Sequence, residues 1–422
     1  MCLMKRNFIL LLVSLTLTNC IKDIEDVYTV KSIDVATIES LISSKDLNDY
    51  PSVKDTTGFP LMAWRGIPDE YISIERFQEV KASGINLMFY PYKSIENMQI
   101  VLDYAEQMNI KVLISCPGLI TQTEMIVNLF KDHPANAGYF LQDEPSASHI
   151  PTLKKLAETI ESIDNTRFTY INLLPNFFSS KDYAAETYQE YIRQFVTEIP
   201  LKILSFDIYP IVSNFIRPNW YSNLETIKDE AEKADIPFWA FALTSAHWDY
   251  PVPTIEHLRM QVYSNLAYGA KGIQYFTFWI PVEKEEFTSA PIDRSGNKTN
   301  EYYLLQQMNK EIHRYAYIFQ TSKVNKVSHY GDIPEGTTQF SNAPYFMRSI
   351  DIRGGNALLS EMENDDNSFF MIQNTNLNKE IGITIQPDEQ TQIILKNGSI
   401  IPASLIKEEF KLTPGDMVMF MR

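Results

Sequence analysis

The chain has 422 residues, 45% hydrophobic and 12% aromatic, enough for one large core and a smaller second domain. Its net charge of −16 excludes the basic footprint that nucleic-acid partners select, and it disfavours a strongly anionic substrate unless a local basic pocket overrides it. No CxxC pair, HExxH, GxGxxG or P-loop occurs, so metal, redox and nucleotide chemistry have no local motif behind them.

At the N-terminus, Lys5 and Arg6 precede an apolar run, Phe8–Leu17, that is too short to span a bilayer as a helix. Residues 1–19 are expected to be a signal peptide. The following Leu17-Thr18-Asn19-Cys20 resembles the lipobox of bacterial lipoproteins, with Asn19 in place of the usual small residue. That resemblance implies a lipid on Cys20, leaving Cys116 as a free thiol in an apolar, core-like context. The acidic run Lys22–Asp26 is similar to the export signal of surface lipoproteins in Bacteroidetes-like bacteria. Residues 20–55 are then a lipidated tether, and the expected location is the cell envelope, on the outer-membrane surface. The plainer alternative is an ordinary signal peptide with a chance cysteine.

From residue 56 to 319, strand-like and helix-like segments alternate. The predicted strands are Gly58–Trp64, Ile85–Pro91, Lys111–Cys116, Ala137–Gln142, Phe168–Leu173, Ile203–Tyr209, Phe238–Leu243 and Gly272–Phe278. They lack polar alternation, as a parallel sheet buried on both faces requires. Apolar spacings of three and four predict helices over Ile74–Ser83, Ile95–Met108, Ile150–Ile163, Tyr183–Thr197, Leu224–Ala234 and Ile255–Tyr268, with a last one over Glu301–Phe319. Gly84 and Gly269 are placed as helix C-caps, and prolines such as Pro91, Pro145 and Pro210 fall at or just past strand ends. A strand–helix unit repeated eight times predicts a (β/α)8 TIM barrel of the α/β class.

Residues 320–422 change character. Short runs, Ser368–Gln373, Ile381–Ile385, Thr391–Leu395 and Met417–Met421, are separated by turn clusters such as Glu363–Asn367. They predict a small antiparallel, sandwich-like β domain.

In a barrel of this kind the chemistry sits at the C-terminal ends of the strands. The predicted tips there carry Trp64 and Arg65, Tyr90, the run Gln142-Asp143-Glu144, Asn172, Asp207 and Tyr209, then His247 and Trp248, and finally Trp279. Aromatic faces beside carboxyl groups suit a saccharide: rings stack, and a partly desolvated acid protonates the leaving oxygen. Plainer roles are open to the same residues. Asp143 suits a helix cap with Glu144 in its first turn, Arg65 suits an ion pair with Asp143 or Asp207, and His247 and Trp248 suit loop packing. Trp279 is the foremost stacking candidate, whereas Trp239 lies mid-strand as core.

The segment His133-Pro134 with Gly138-Tyr139-Phe140-Leu141-Gln142-Asp143-Glu144-Pro145 resembles strand four of glycoside hydrolase barrels related to the family 42 β-galactosidases and their clan A relatives. Phe59-Pro60-Leu61 with Trp64, Phe206–Pro210 and Tyr275–Trp279 fit the same scheme. The resemblance implies hydrolysis of an oligo- or polysaccharide without a cofactor and Glu144 as general acid/base; with the lipoprotein-like N-terminus, it makes outer-membrane glycan-uptake proteins the expected partners of a Cys20-anchored chain. It also has a departure: the clan's strand-seven glutamate is missing, since Phe238–Leu243 runs into Thr244 with no acid. Asp207 is the first candidate for the second carboxylate. About 6.5–9.5 Å between it and Glu144 implies inversion and about 5–5.5 Å retention. Asp143, Asp249 and Glu283 are reserves, and Asp207 equally suits a structural role. The alternative function, favoured by the missing acid, is a non-hydrolytic surface glycan-binding protein on the same scaffold.

Overall fold

The computed structural model describes Pro51 and residues 58–422, so the leader, Cys20 and most of the tether lie outside the described residues. Eight parallel strands close into a barrel: β1 (Leu61–Trp64), β2 (Leu87–Phe89), β3 (Lys111–Ile114), β4 (Asn136–Asp143), β5 (Phe168–Leu173), β6 (Leu204–Phe206), β7 (Phe238–Leu243) and β8 (Ile273–Phe276). β1 closes the ring by pairing with both β2 and β8. Around it lie α1 (Ile74–Ala82), α2 (Ile95–Gln107), α3 (Thr123–Phe130), α4 (Ile150–Ile163), α5 (Tyr188–Glu198), α6 (Trp220–Lys233), α7 (Ile255–Ala267) and α8 (Asn300–Thr321).

Local chemistry explains these boundaries. Pro151 opens α4, where its missing N–H costs nothing, and Leu153, Ala157 and Ile160 recur on the face that is buried. Ser94, Thr187 and Thr254 accept the N–H of the third residue on and cap α2, α5 and α7. Gly84 and Gly269 end α1 and α7 in the left-handed region, at φ 88° and 101°. One barrel helix, α3, has no counterpart among the predicted segments, because eight residues leave little room for a period to show.

Inside the barrel, Met62, Trp64, Phe89, Tyr170, Trp239 and Phe241 fill the lumen, so the site can form only above this packing. Trp239 is buried there as expected.

The C-terminal part comprises β9 (Lys323–Tyr330), β10 (Met347–Arg353), β11 (Ala357–Glu363), β12 (Ser368–Asn374), β13 (Ile381–Pro387), β14 (Gln392–Ile394), β15 (Ile400–Pro402), β16 (Phe410–Leu412) and β17 (Met417–Met421). A six-stranded sheet, β9-β11-β12-β17-β14-β15, faces a three-stranded one, β10-β13-β16. Alternation explains why every residue of β17 is buried. Val418 and Phe420 join the core between the two sheets, while Met417, Met419 and Met421 turn to the barrel. The larger sheet therefore docks on α7 and α8. Ser264 Oγ donates to Gln373 Oε1 (2.8 Å), Ser360 Oγ to Ala267 O (2.7 Å) and Tyr315 OH to Ile394 O (3.2 Å).

Candidate active site

The site starts from an irregularity in β4. The Phe140 ring packs against those of Trp64 and Tyr170 in the lumen, so strict alternation would send Gln142 inward and Asp143 outward. Instead the register slips: Phe140 pairs with Tyr170, Gln142 with Ile171 and Asp143 with Asn172. Leu141 is the extra residue of a bulge, and it exchanges the faces of the two residues after it. Gln142 turns away, its amide 3.5 Å from His149 Nδ1. Glu144 follows at φ 47°, a left-handed conformation uncommon for a residue with a side chain. Its N–H still donates to Asn172 O at 2.8 Å, which clamps the turn to β5. Two consecutive acids can thus face one cleft.

Asn172 organises the carboxyl groups. Its Nδ2 donates to Asp207 Oδ1 at 2.8 Å and to Asp143 Oδ1 at 3.1 Å. The amide cannot flip without loss, because Ser205 Oγ donates to Asn172 Oδ1 at 3.0 Å and itself accepts from Gln274 Nε2 at 2.8 Å. The Tyr170 hydroxyl donates to Gln274 Oε1 and completes a polar ladder running down the lumen. Glu144 lines the same cleft, and its charge acts on Asp207.

The cleft above encloses about 720 Å³. Trp64, Phe89, Phe140, Phe241 and Phe276 line its base, with Trp64 and Phe89 centroids 4.3 Å apart. Asp143 and Glu144 stay open to solvent at the mouth, yet protein crowds their other sides. Burial raises the pKa of Asp143, against the opposing bond from Asn172. Burial and then the Asp143 charge raise that of Glu144. Asp207 sits deepest, and burial followed by the charges of Glu144 and Asp143 pushes it well above the carboxylate range. The three acids therefore hold protons more tightly than free carboxyls, and Asp207 most of all.

His247 stacks on Phe287, centroids 4.2 Å apart at 12°, and its Nδ1 is buried without a partner. Burial holds its pKa at about 4, so the ring is neutral near pH 7.

Of the residues predicted from strand tips, Trp64, Arg65, Asp143, Glu144, Asn172, Asp207, Tyr209, His247 and Trp248 all line this cleft. Three do not, each for a physical reason. Gln142 is turned out by the bulge. Tyr90 packs beside Tyr92, centroids 5.3 Å apart, away from the lining. Trp279 is only 2% exposed, its indole 4.6 Å from the Tyr71 ring and beneath the Arg76 guanidinium. It is a packing residue, and the exposed tryptophan is Trp248, at 72%. Arg65 pairs with Glu283 rather than with Asp143 or Asp207. The lining also contains Asp249, one of the reserve carboxylates, and Phe177, Arg217, Tyr250 and Lys284, to which the strand-tip reading assigned no site role. The Asn176-Phe177-Phe178 run after β5 was the available signal, since loop phenylalanines have no core to fill.

No protein-family model matches the chain, and no curated protein matches it. Solved structures do. A family 5 glycoside hydrolase from Bacteroides vulgatus matches with a TM-score of 0.54 at 11% identity, over 86% of this chain and 88% of that one. A family 39 glycoside hydrolase from Bacteroides cellulosilyticus gives 0.53 at 10% identity, over 88% and 82%. An α-amylase from Geobacillus thermoleovorans gives 0.51 at 9% identity, over 87% and 99%. At such identities the likeness is one of fold: this chain has the (β/α)8 barrel that glycoside hydrolases of several kinds share.

Proposed function

We propose that the cleft hydrolyses glycosidic bonds of an oligo- or polysaccharide, with Glu144 as the proton donor. The observation that carries this reading is a set of three carboxyls, Asp143, Glu144 and Asp207, the first and last bridged by Asn172, over an aromatic base in a saccharide-sized cleft at the strands' C-terminal end. The shared barrel supports it at the level of the scaffold.

Depth in the cleft refines the roles of the two carboxyls: Asp207 is partly buried and Glu144 exposed. Asp207 lies deeper, and burial raises its pKa more strongly. Glu144, open to the cleft, delivers the proton to the leaving oxygen. Asn172 donates to Asp207 throughout. The opposing base falls to Asp249, which the loop after β7 brings to the cleft wall.

A screen of plant, host and microbial glycans for released reducing ends, comparing wild type with Glu144→Gln, tests this. Product from wild type alone is expected, and undiminished release by the variant would remove Glu144 from the role. A second reading, a glycan-binding protein without hydrolysis, is favoured by the β7 tip, where Leu243 runs into buried Thr244 and Ser245 instead of an acid. Tight binding with no product from any glycan would decide for it. Anchoring through Cys20 is part of the proposal, and loss of membrane association in Cys20→Ala cells is its check.

A further inference from the structure

We propose that the cleft carries an anion subsite built on Arg217, with Lys284 as a second cation, and that the saccharide it takes is acidic, bearing a uronate carboxylate or a sulfate ester. For turnover this rests on the hydrolase reading above; for binding it stands alone.

The loop after β6 forms a small hairpin, Ile211–Val212 against Phe215–Ile216, and returns Arg217 to the cleft wall. The guanidinium is then held from several sides. Nε donates to Tyr209 O at 3.1 Å and Nη2 to the Tyr250 hydroxyl at 3.0 Å, while the guanidinium carbon lies 4.8 Å from the centre of the Phe177 ring. These bonds use two of the five N–H donors of an arginine. Among the described residues Nη1 finds no hydrogen-bond partner, and it is not a buried unpartnered atom, so it reaches solvent, and Arg217 is part of the cleft lining. A brace for the loop would spend its donors on protein; this one is fixed in place with part of its fork unspent.

The missing counter-charge is the second observation. The chain has 53 acidic against 37 basic residues, and Arg65, Arg76, Arg167, Arg193 and Arg259 each pair with a carboxylate. Among the described residues Arg217 has no such pair; Lys284, in the loop after β8, forms no ion pair either, though its charge acts on Asp143 and Glu283. A rigid, unpaired guanidinium stacked on an aromatic ring fits a carboxylate or sulfate that arrives with a ligand. Local cations of this kind override the general acidity of the chain. Tyr209 sets the site's place: its backbone carbonyl holds Arg217, and its side chain lines the same cleft as Asp207, two residues before it.

The test uses the full chain carrying Glu144→Gln, which separates binding from turnover, in calorimetry and affinity electrophoresis. Polygalacturonate supplies carboxylates only, carrageenan sulfates only, and galactomannan no charge. Binding of one acidic glycan is expected at least about tenfold tighter than of galactomannan, weakening as salt rises. Adding Arg217→Gln should weaken it about tenfold or more, and Arg217→Lys, which keeps the charge but not the fork, by less. Which acidic polymer binds identifies carboxylate or sulfate. Should Arg217→Gln not fold, Lys284→Gln and the salt dependence carry the decision. Equal affinity for galactomannan, no acidic binding, or acidic binding indifferent to Arg217 and Lys284 would each overturn the subsite. Hydrolysis of a neutral glycan with acidic glycans unbound would overturn it while leaving the hydrolase reading intact. Arg217-dependent binding without turnover by wild type would keep the subsite and remove the hydrolase.

Discussion

Asp143 stands opposite Asn172 in the β4–β5 register, and this pairing, rather than the alternation of β4, decides which side chains of Gln142-Asp143-Glu144 meet the cleft. Asn172 answers with a donor to Asp143 and another to Asp207. Both bonds favour the charged carboxylate and so pull against the pKa rise that burial imposes.

Asn172→Ala should therefore let both acids keep their protons to higher pH. The alkaline limb of the kcat/KM profile is expected to move upward. The rate at the optimum should fall about 10- to 100-fold, because the acids lose their fixed orientation. A fall in rate with an unmoved limb would assign Asn172 to packing alone.

Asp207 carries a cost in stability. Its folded pKa is raised, so the folded chain binds that proton more tightly than the unfolded one. Its contribution is favourable at low pH and fades as pH climbs from the unfolded carboxylate value toward the folded one. Asp207→Asn removes the charge and keeps an oxygen for Asn172. Near pH 7 it should gain about 1–2 kcal/mol of stability while losing activity, and its thermal midpoint should vary less between pH 5 and 8 than that of wild type. Parallel melting curves across that range check the sign.

The two tryptophans should separate cleanly. Trp279→Ala empties a buried site and is expected to cost about 3–5 kcal/mol in chemical denaturation. Trp248→Ala should leave stability within about 0.5 kcal/mol and weaken saccharide binding, since its ring stands exposed at the mouth.

The sandwich is braced on the barrel at Gly415, which has φ 72° and where a Cβ would lie 2.3 Å from Glu256 O. Gly415→Ala should cost about 2 kcal/mol or more and lower the unfolding midpoint of barrel and sandwich together, if the docked sheet makes them one cooperative unit. A separate early transition would show that the domains melt independently.

Much of this architecture was legible because barrel strands buried on both faces read as unbroken apolar runs, and β5 and β7 match their predicted spans. The sandwich was legible where strands are apolar throughout, as in β12 and β17. It was not in β9, whose Lys323, Asn325 and Lys326 mask Val324 and Val327. At the site, Glu144 and Asp207 could be named from strand tips alone. The bulge at Leu141 could not, because one inserted residue leaves no trace in composition or period, and it reverses Gln142 and Asp143. Trp279 sits at a strand tip in sequence, but its backbone turns the ring onto Tyr71 and Arg76. Arg217 depends on a hairpin too short to show a pattern.

The central claim is that Glu144 donates a proton to a departing oxygen, and leaving-group dependence tests it most directly. An activated aryl glycoside departs without protonation, whereas a sugar alcohol does not. Comparing kcat/KM of wild type and Glu144→Gln on both, the loss should be about 100-fold or more for the natural linkage and far smaller for the aryl glycoside. An equal loss on both substrates, or none on either, would contradict it.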